Sequence, residues 1–237
     1  MSRIGIIAAL PEEVKMLTRK TLLPGEYLVR DQLIICVAGI GADNAKTASQ
    51  SLHNNGATVL ISWGCAGALD PELSAGDFIL PSQVCDENNT AIDTSKRWNN
   101  QLQTLLSAAK TIHSGLLVQA PSMITSTRQK QSLFKTTTAI AVDMESYSIA
   151  NYARENDLPF IACRAIADSA QTELPQPVID AMDQQGRINN RKVLLNTLLR
   201  PWAIASLIRL GLHFSKAQAT LSSVAERLVQ LDYQPTS

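Results

Sequence analysis

Short apolar runs rich in β-branched residues alternate along this chain with segments of helical spacing, and that alternation limits the fold more than any other feature. The runs are Ile4 to Ala9, Leu33 to Ala38, Val59 to Ser62, Phe78 to Val84, Gly115 to Val118, Ala139 to Val142 and Phe160 to Ala165. Often bounded by Gly, Pro or Asn, they read as buried strands. Helical spacing marks Glu12 to Lys20, Asp43 to His53, Asn99 to Ala109 and Glu145 to Asn156, where Ile149, Tyr152 and Ala153 share a face. Together they predict an α/β domain with a largely parallel sheet.

The texture changes after Pro175 and Pro177. From Gln184 to Ala225 the chain carries Arg187, Arg191, Lys192, Arg200, Arg209 and Lys216 and no acid, interleaved with Leu, Ile, Trp and Phe. With 237 residues there is room for one large domain and an appendage, so a catalytic-size unit over 1–177 and a basic, apolar helical extension over 178–237 are expected. Lys plus Arg and Asp plus Glu both number 21, so no global field draws the chain to nucleic acid; the basic extension is offset by acids elsewhere. Trp202, Ile204, Leu207, Ile208, Leu210, Leu212 and Phe214 exceed one packed stripe. The extension is either a hairpin packed on the domain or an interfacial element touching an anionic membrane from the cytoplasmic side. Cys36, Cys65, Cys85 and Cys163 form no CxxC pair and sit in or beside apolar runs, which favours reduced thiols in a cytoplasmic protein without a metal site. The first residues lack the h-region and cleavage site of a signal peptide, and no apolar run approaches the roughly 20 residues of a membrane span.

Two glycine-rich segments and three acids mark a candidate site. GIGADNA, residues 39–45, follows a strand and opens a helix, so its amides, Gly41 among them, can face an anion. As a dinucleotide fingerprint it fails, because Asn44 stands where the third small residue belongs and no acid follows at the ribose-clamp distance. WGCAGAL, residues 63–69, reads as a second turn through which a ligand approaches the backbone. Asp143, Glu145 and Asp168 lie where one strand ends, a helix begins and another strand ends. Helix capping for the first two and a strand-end turn for the third are the plain structural alternatives.

IGIIAALPEEV, AGIGADNA, SWGCAGAL, AVDMESYSIA and RAIADSA, in this order, resemble the nucleoside phosphorylase and nucleosidase superfamily, most nearly the methylthioadenosine/S-adenosylhomocysteine nucleosidases. The tail GRINNRKVLLNTLLRPWAIASLIRL is similar to the C-terminal extension of the hopanoid-associated phosphorylases, which remove adenine from adenosylhopane. The resemblance implies a three-layer phosphorylase/hydrolase-like fold, a homo-oligomer, no cofactor or metal, and cleavage of an N-glycosidic bond. Asp168 then serves purine N7, Glu145 the ribose hydroxyls and Glu13 the attacking water. Met144 packs under the sugar, Met123 takes the place of the purine-stacking phenylalanine, and Arg164 and Cys65 flank the nucleophile. Asp143 replaces the usual glutamate before the methionine, Cys65 replaces a serine, and the stretch from Val84 to Asn99 is shortened, which opens the 5′ side of the pocket.

The nucleophile is water or phosphate. Glu13 repels a phosphate dianion, which favours water, whereas Arg164 and the glycine-rich segments leave phosphate open as co-substrate. A catalytically inactive nucleoside-binding protein on the same scaffold is the alternative outside enzymes. An Asp168→Asn exchange is expected to cost rate and spare stability.

Overall fold

The computed structural model describes residues 3–18, 20–30, 32–106, 111–181, 189, 192–193, 195–196 and 200–228. Its strands are β1 (Arg3–Ala8), β2 (Tyr27–Arg30), β3 (Leu33–Val37), β4 (Ala57–Ala68), β5 (Phe78–Ile79), β6 (Gln83–Cys85), β7 (Ala91–Asp93), β8 (Ile112–His113), β9 (Leu116–Gln119), β10 (Ala141–Asp143) and β11 (Phe160–Asp168). The α-helices are α1 (Ala42–Asn54), α2 (Lys96–Leu106), α3 (Thr127–Thr137), α4 (Ser146–Glu155), α5 (Gln176–Ile179) and α6 (Ile204–Leu228).

All eleven strands join one mixed, largely parallel sheet along the path β2-β3-β1-β4-β10-β9-β6-β7, with β11 pairing β4 and β5, and β8 pairing β5. Because side chains alternate across a strand, each apolar run feeds both faces. Ile4, Ile6, Ile35, Val37, Ile61, Trp63, Ile161 and Cys163 meet α2 and the second half of α6 on one side. Ile7, Ile34, Cys36, Leu60, Ala162 and Ile166 meet α1 and α4 on the other. This is an α/β sheet with flanking helices, as the alternation of runs predicts, and strands covered on both sides explain why the runs read as continuously apolar.

Three local expectations are corrected. WGCAGAL is no turn: β4 continues through it to Ala68, parallel to β11 along its length and antiparallel to β10 at Gly67 and Ala68. Small residues there let two strands crowd one segment. The run Phe78 to Val84 breaks into β5 and β6 around Pro81, which has no N–H for a ladder and whose carbonyl accepts instead from Thr94 Oγ1 (2.8 Å) and Asn99 Nδ2 (3.0 Å). The helix expected from Glu12 to Lys20 is a single 3₁₀ turn, Pro11–Val14.

In the extension, Arg187 and Arg191 lie outside the described residues. Helix α6 is divided along its length. Ala217, Leu221, Val224, Ala225 and Leu228 are buried in the same core as β1 and β4. Fully burying a Leu or Val contributes about 1.5–3 kcal/mol, so this half is firmly docked. The first half carries a bare stripe: Ile204, Ile208 and Leu212, spaced four apart, are 46%, 58% and 60% exposed, and the adjoining Trp202 is 75% exposed, while Leu207, Leu210, His213 and Phe214 are partly buried. No described helix is long and apolar enough to cross a membrane.

Candidate active site

The turn after β1 places the first acid. Pro11 sets the entry to Pro11–Val14, and the Glu13 carboxylate folds back so that Oε2 accepts from the N–H of Ala9 (3.2 Å) and Leu10 (3.0 Å). Its Oε1 accepts from the N–H of Cys65 on β4 at 2.8 Å, and the buried Trp63 indole donates to the Glu13 carbonyl at 2.8 Å. Gly64 permits this approach: a Cβ there would stand 2.5 Å from Glu13 Oε1. Burial raises the Glu13 pKa, against the pull of Arg164 and the three amides.

The second acid begins α4. Glu145 Oε1 accepts from the Gly41 N–H at 2.8 Å, and Oε2 from the Met144 N–H at 3.3 Å. The anion that GIGADNA faces is therefore this carboxylate, and Gly41, at φ 101°, holds a conformation suited to glycine. Burial and the neighbouring Asp143 push the Glu145 pKa up to about 7, opposed by Arg164 and the Gly41 amide.

Behind these two lies a buried polar network. Arg164, 2% exposed, donates from Nε to Asp143 Oδ2 (2.9 Å) and from Nη2 to Ser62 Oγ (2.5 Å) and Ser146 Oγ (3.1 Å). Asp143 also accepts from the N–H groups of Glu145 (3.3 Å) and Ser146 (3.2 Å) and from the Ser146 hydroxyl. Asp143, two residues before the N-cap Glu145, thus satisfies the first amide of α4 and anchors the guanidinium as well. One cation thus sits among Asp143, Glu145 and Glu13, and that attraction holds its pKa up against burial.

The third acid ends β11. Asp168 comes after a register shift against β4, with its carboxylate beside Gly67. Lys130, 1% exposed on α3, donates from Nζ to Asp168 Oδ2, to the Ser169 carbonyl (2.7 Å) and to the Thr172 carbonyl (3.0 Å). Burial raises the Asp168 pKa while Lys130 opposes the rise.

Glu13, Glu145, Asp168, Asp143, Cys65, Met144 and Met123 all line one cavity of about 190 Å³, whose walls are mostly apolar and include Leu10, Ile40, Ile124 and Val142. Arg164 and Gly41 do not line it; they act through Asp143 and Glu145. Burial and the Glu13 charge push the Cys65 thiol well up, so it lines the cavity as a neutral group. The sequence reading missed Lys130 and the whole of α3. A signal for the helix was present in Ser126 and Gln129, which form a capping box: Gln129 N–H to Ser126 Oγ (3.3 Å) and the Gln129 side chain facing the Ser126 N–H (3.1 Å). Nothing local distinguishes Lys130 from a solvated lysine.

The family model described as the phosphorylase superfamily matches residues 3–200. The 5′-methylthioadenosine/S-adenosylhomocysteine nucleosidase of Staphylococcus aureus strain JH9 is 30% identical over 200 residues, spanning 72% of this chain and 88% of that protein. Among solved structures, the native futalosine hydrolase of Helicobacter pylori strain 26695 superposes with a TM-score of 0.72 at 17% identity, over 97% of each chain. The 5′-methylthioadenosine/S-adenosylhomocysteine nucleosidase of Neisseria meningitidis, in complex with methylthio-immucillin-A, gives 0.73 at 18% identity, over 98% of this chain and 100% of that one. At such identities these structures establish the shared fold.

Proposed function

From the premise that the chain belongs to the phosphorylase superfamily, we propose that it is a nucleosidase that cleaves the N-glycosidic bond of a 5′-substituted adenosine and releases adenine. The observation that carries the reading is the convergence of Glu13, Glu145 and Asp168 on one apolar-walled cavity. Asp168 faces purine N7 and lets the base leave neutral. Glu145 grips the ribose hydroxyls, where its charge stabilises the cation that builds on the sugar as the bond breaks. Met144 packs under the sugar and Met123 against the base. Glu13, fixed by three amides, orients the water that attacks the anomeric carbon.

Water is preferred to phosphate because Arg164 is buried and its Nε and Nη2 are engaged by Asp143, Ser62 and Ser146. A phosphate dianion beside Glu13 would meet repulsion with that cation already engaged. No cofactor enters this chemistry.

The pH dependence follows from Glu145. Its pKa lies at about 7 against an ordinary 4.5, so below pH 7 it takes up a proton and loses the charge that serves the sugar cation. We expect kcat/KM to fall by about tenfold per pH unit below that point, and Glu145→Gln to abolish this limb together with most of the activity. Stability moves the other way. The folded state binds this proton more tightly than the unfolded chain, so the contribution of Glu145 is favourable below pH 4.5 and is lost as pH rises through about 7. A pH series of rates and of urea midpoints checks both signs.

The finer reading is a lipid-linked substrate, adenosylhopane, in hopanoid side-chain biosynthesis. Its support is the sequence of the tail, the shortened 84–99 segment and the bare Trp202, Ile204, Ile208 and Leu212 stripe, with Arg209 and Lys216 exposed on the same helix. The boundary at 177 is proposed as a division of labour: chemistry before it, peripheral membrane docking after it, on a homo-oligomer at the cytoplasmic membrane face. The 30% identical Staphylococcus aureus nucleosidase favours a second reading, soluble 5′-methylthioadenosine as substrate. The test presents an adenosine with a long apolar 5′ chain in anionic vesicles, beside soluble 5′-methylthioadenosine. We expect faster adenine release from the vesicle-borne substrate, lost at high salt. Cleavage of the soluble compound alone would overturn the lipid reading, and cleavage of neither would overturn the nucleosidase.

A further inference from the structure

A lysine is among the largest fully buried side chains of this protein, and the family motifs quoted above assign it no role. Lys130 lies on α3, forms part of the cavity lining and spends its three ammonium hydrogens on three acceptors: Asp168 Oδ2, the Ser169 carbonyl and the Thr172 carbonyl. Asp168 Oδ1 takes no hydrogen bond from the described residues, and Asp168 lines the cavity. The lysine therefore addresses one edge of the carboxyl group and pins the backbone that follows it.

We propose that Lys130 is a positioning residue for proton donation by Asp168: by occupying Oδ2 with a cation it confines the transferable proton to Oδ1, on the edge left to the substrate, and stabilises the carboxylate that remains. This inference rests on the nucleosidase reading and names the device that orients its acid. In the step itself, the Oδ1–H bond breaks and an N7–H bond forms. The electron pair of the C1′–N9 bond passes to the purine, which leaves neutral. The sugar is left cationic and Asp168 anionic; the oxygen of the water held by Glu13 then forms the new bond to C1′, and one of its protons passes to the Glu13 carboxylate. Negative charge on Asp168 grows only along this path, so a fixed ammonium beside it favours the transition state over the ground state.

The same geometry explains how a carboxyl group in this setting remains a usable acid. Burial alone holds its proton tightly, and Lys130 opposes this. The other charged or titratable groups facing Asp168 are His213 from α6 and Cys65 from β4. The thiol is neutral, and no other described ammonium or guanidinium approaches the carboxylate within 4.0 Å.

The test combines Lys130→Met, Lys130→Arg, Asp168→Asn and the Lys130→Met/Asp168→Asn pair. Hydrogen bonds to charged groups carry enough energy that Lys130→Met should lower kcat by roughly ten- to a hundredfold with a smaller change in KM. The Asp168 carboxyl, followed by ¹³C NMR in the substrate-free protein, should titrate at higher pH, and the basic limb of the rate profile should move up with it. Lys130→Arg should recover part of both. In the Asp168→Asn background, Lys130→Met should add no further loss of rate, because the lysine acts only through the aspartate. The double variant, with both charges removed, also gives a readout if the single variant does not fold. An unmoved Asp168 titration, or rate losses that multiply in the double variant, would overturn the role. If the intact protein released no adenine, the nucleosidase reading would fail by itself, while the NMR titration would still report on the pair.

Discussion

Asp168→Asn is expected to lower kcat for adenine release by about 10²–10⁴-fold, the usual range for loss of a general acid. The amide keeps the shape of the side chain and cannot supply a proton to N7. The structure adds a second effect that overturns the expectation of unchanged stability. Lys130, 1% exposed, would keep its two carbonyl partners and exchange a titratable carboxyl for an amide that can never carry its counter-charge. Breaking a buried pair from one side costs about 3–5 kcal/mol, and the partial exposure of the Asp168 side chain places this case at the lower end. Urea denaturation and steady-state kinetics on the same preparation separate the two losses. A variant within tenfold of the parent in kcat would remove Asp168 from the role of acid, and an unchanged midpoint would show that Lys130 finds another anion.

Legibility from sequence followed the range of the interaction. The central strands β1, β3, β4 and β11 were readable because burial on both faces demands uninterrupted apolar residues, a purely local signal. The strands β2, β7 and β8 were not, since Tyr27–Arg30 and Ala91–Asp93 are partly exposed edge segments and Ile112–His113 is two residues long. Pro81 was visible in the run 78–84, and its consequence for the ladder could have been drawn. Trp63 to Leu69 misled because glycines and alanines that mark a turn in isolation here mark a strand crowded by two neighbours and by the Glu13 carboxylate.

Within the site, the acids were legible through their places at strand ends and through the motifs that carry the family resemblance. Their supporting shell was only partly so. Arg164 was expected to flank the nucleophile, and the fold joins it to Asp143, Ser62 and Ser146, so that four elements meet in one network. Gly41 was expected to meet a ligand anion, and its amide meets Glu145, 104 residues away in sequence. Such pairings depend on sheet order, which no window of sequence contains. The charge of the extension was legible, yet the division of α6 into a docked half and a more exposed half follows from which part of its length meets β11 and α2.

Glu13 carries the second large effect. Glu13→Gln retains one carbonyl-type oxygen for the amides of Ala9, Leu10 or Cys65 and removes the charge that orients and deprotonates water. We expect kcat to drop by about 10²–10⁴-fold, as for loss of a general base, with KM little changed because the purine and ribose contacts remain. Removing a buried carboxylate whose pKa is raised also relieves desolvation, so part of the cost of the lost hydrogen bonds is offset at neutral pH. Activity in the variant that rises with phosphate concentration would identify phosphate as nucleophile and leave Glu13 without its assigned part. The most direct measurement of the whole account is a phosphate-free turnover in ¹⁸O-labelled water with purified protein and a 5′-substituted adenosine. One free adenine is expected for each sugar, with ¹⁸O at the anomeric hydroxyl in the intact protein and almost none formed by Glu13→Gln; folded, intact protein that liberates no adenine, or does so only when phosphate is added, would overturn hydrolysis at this site.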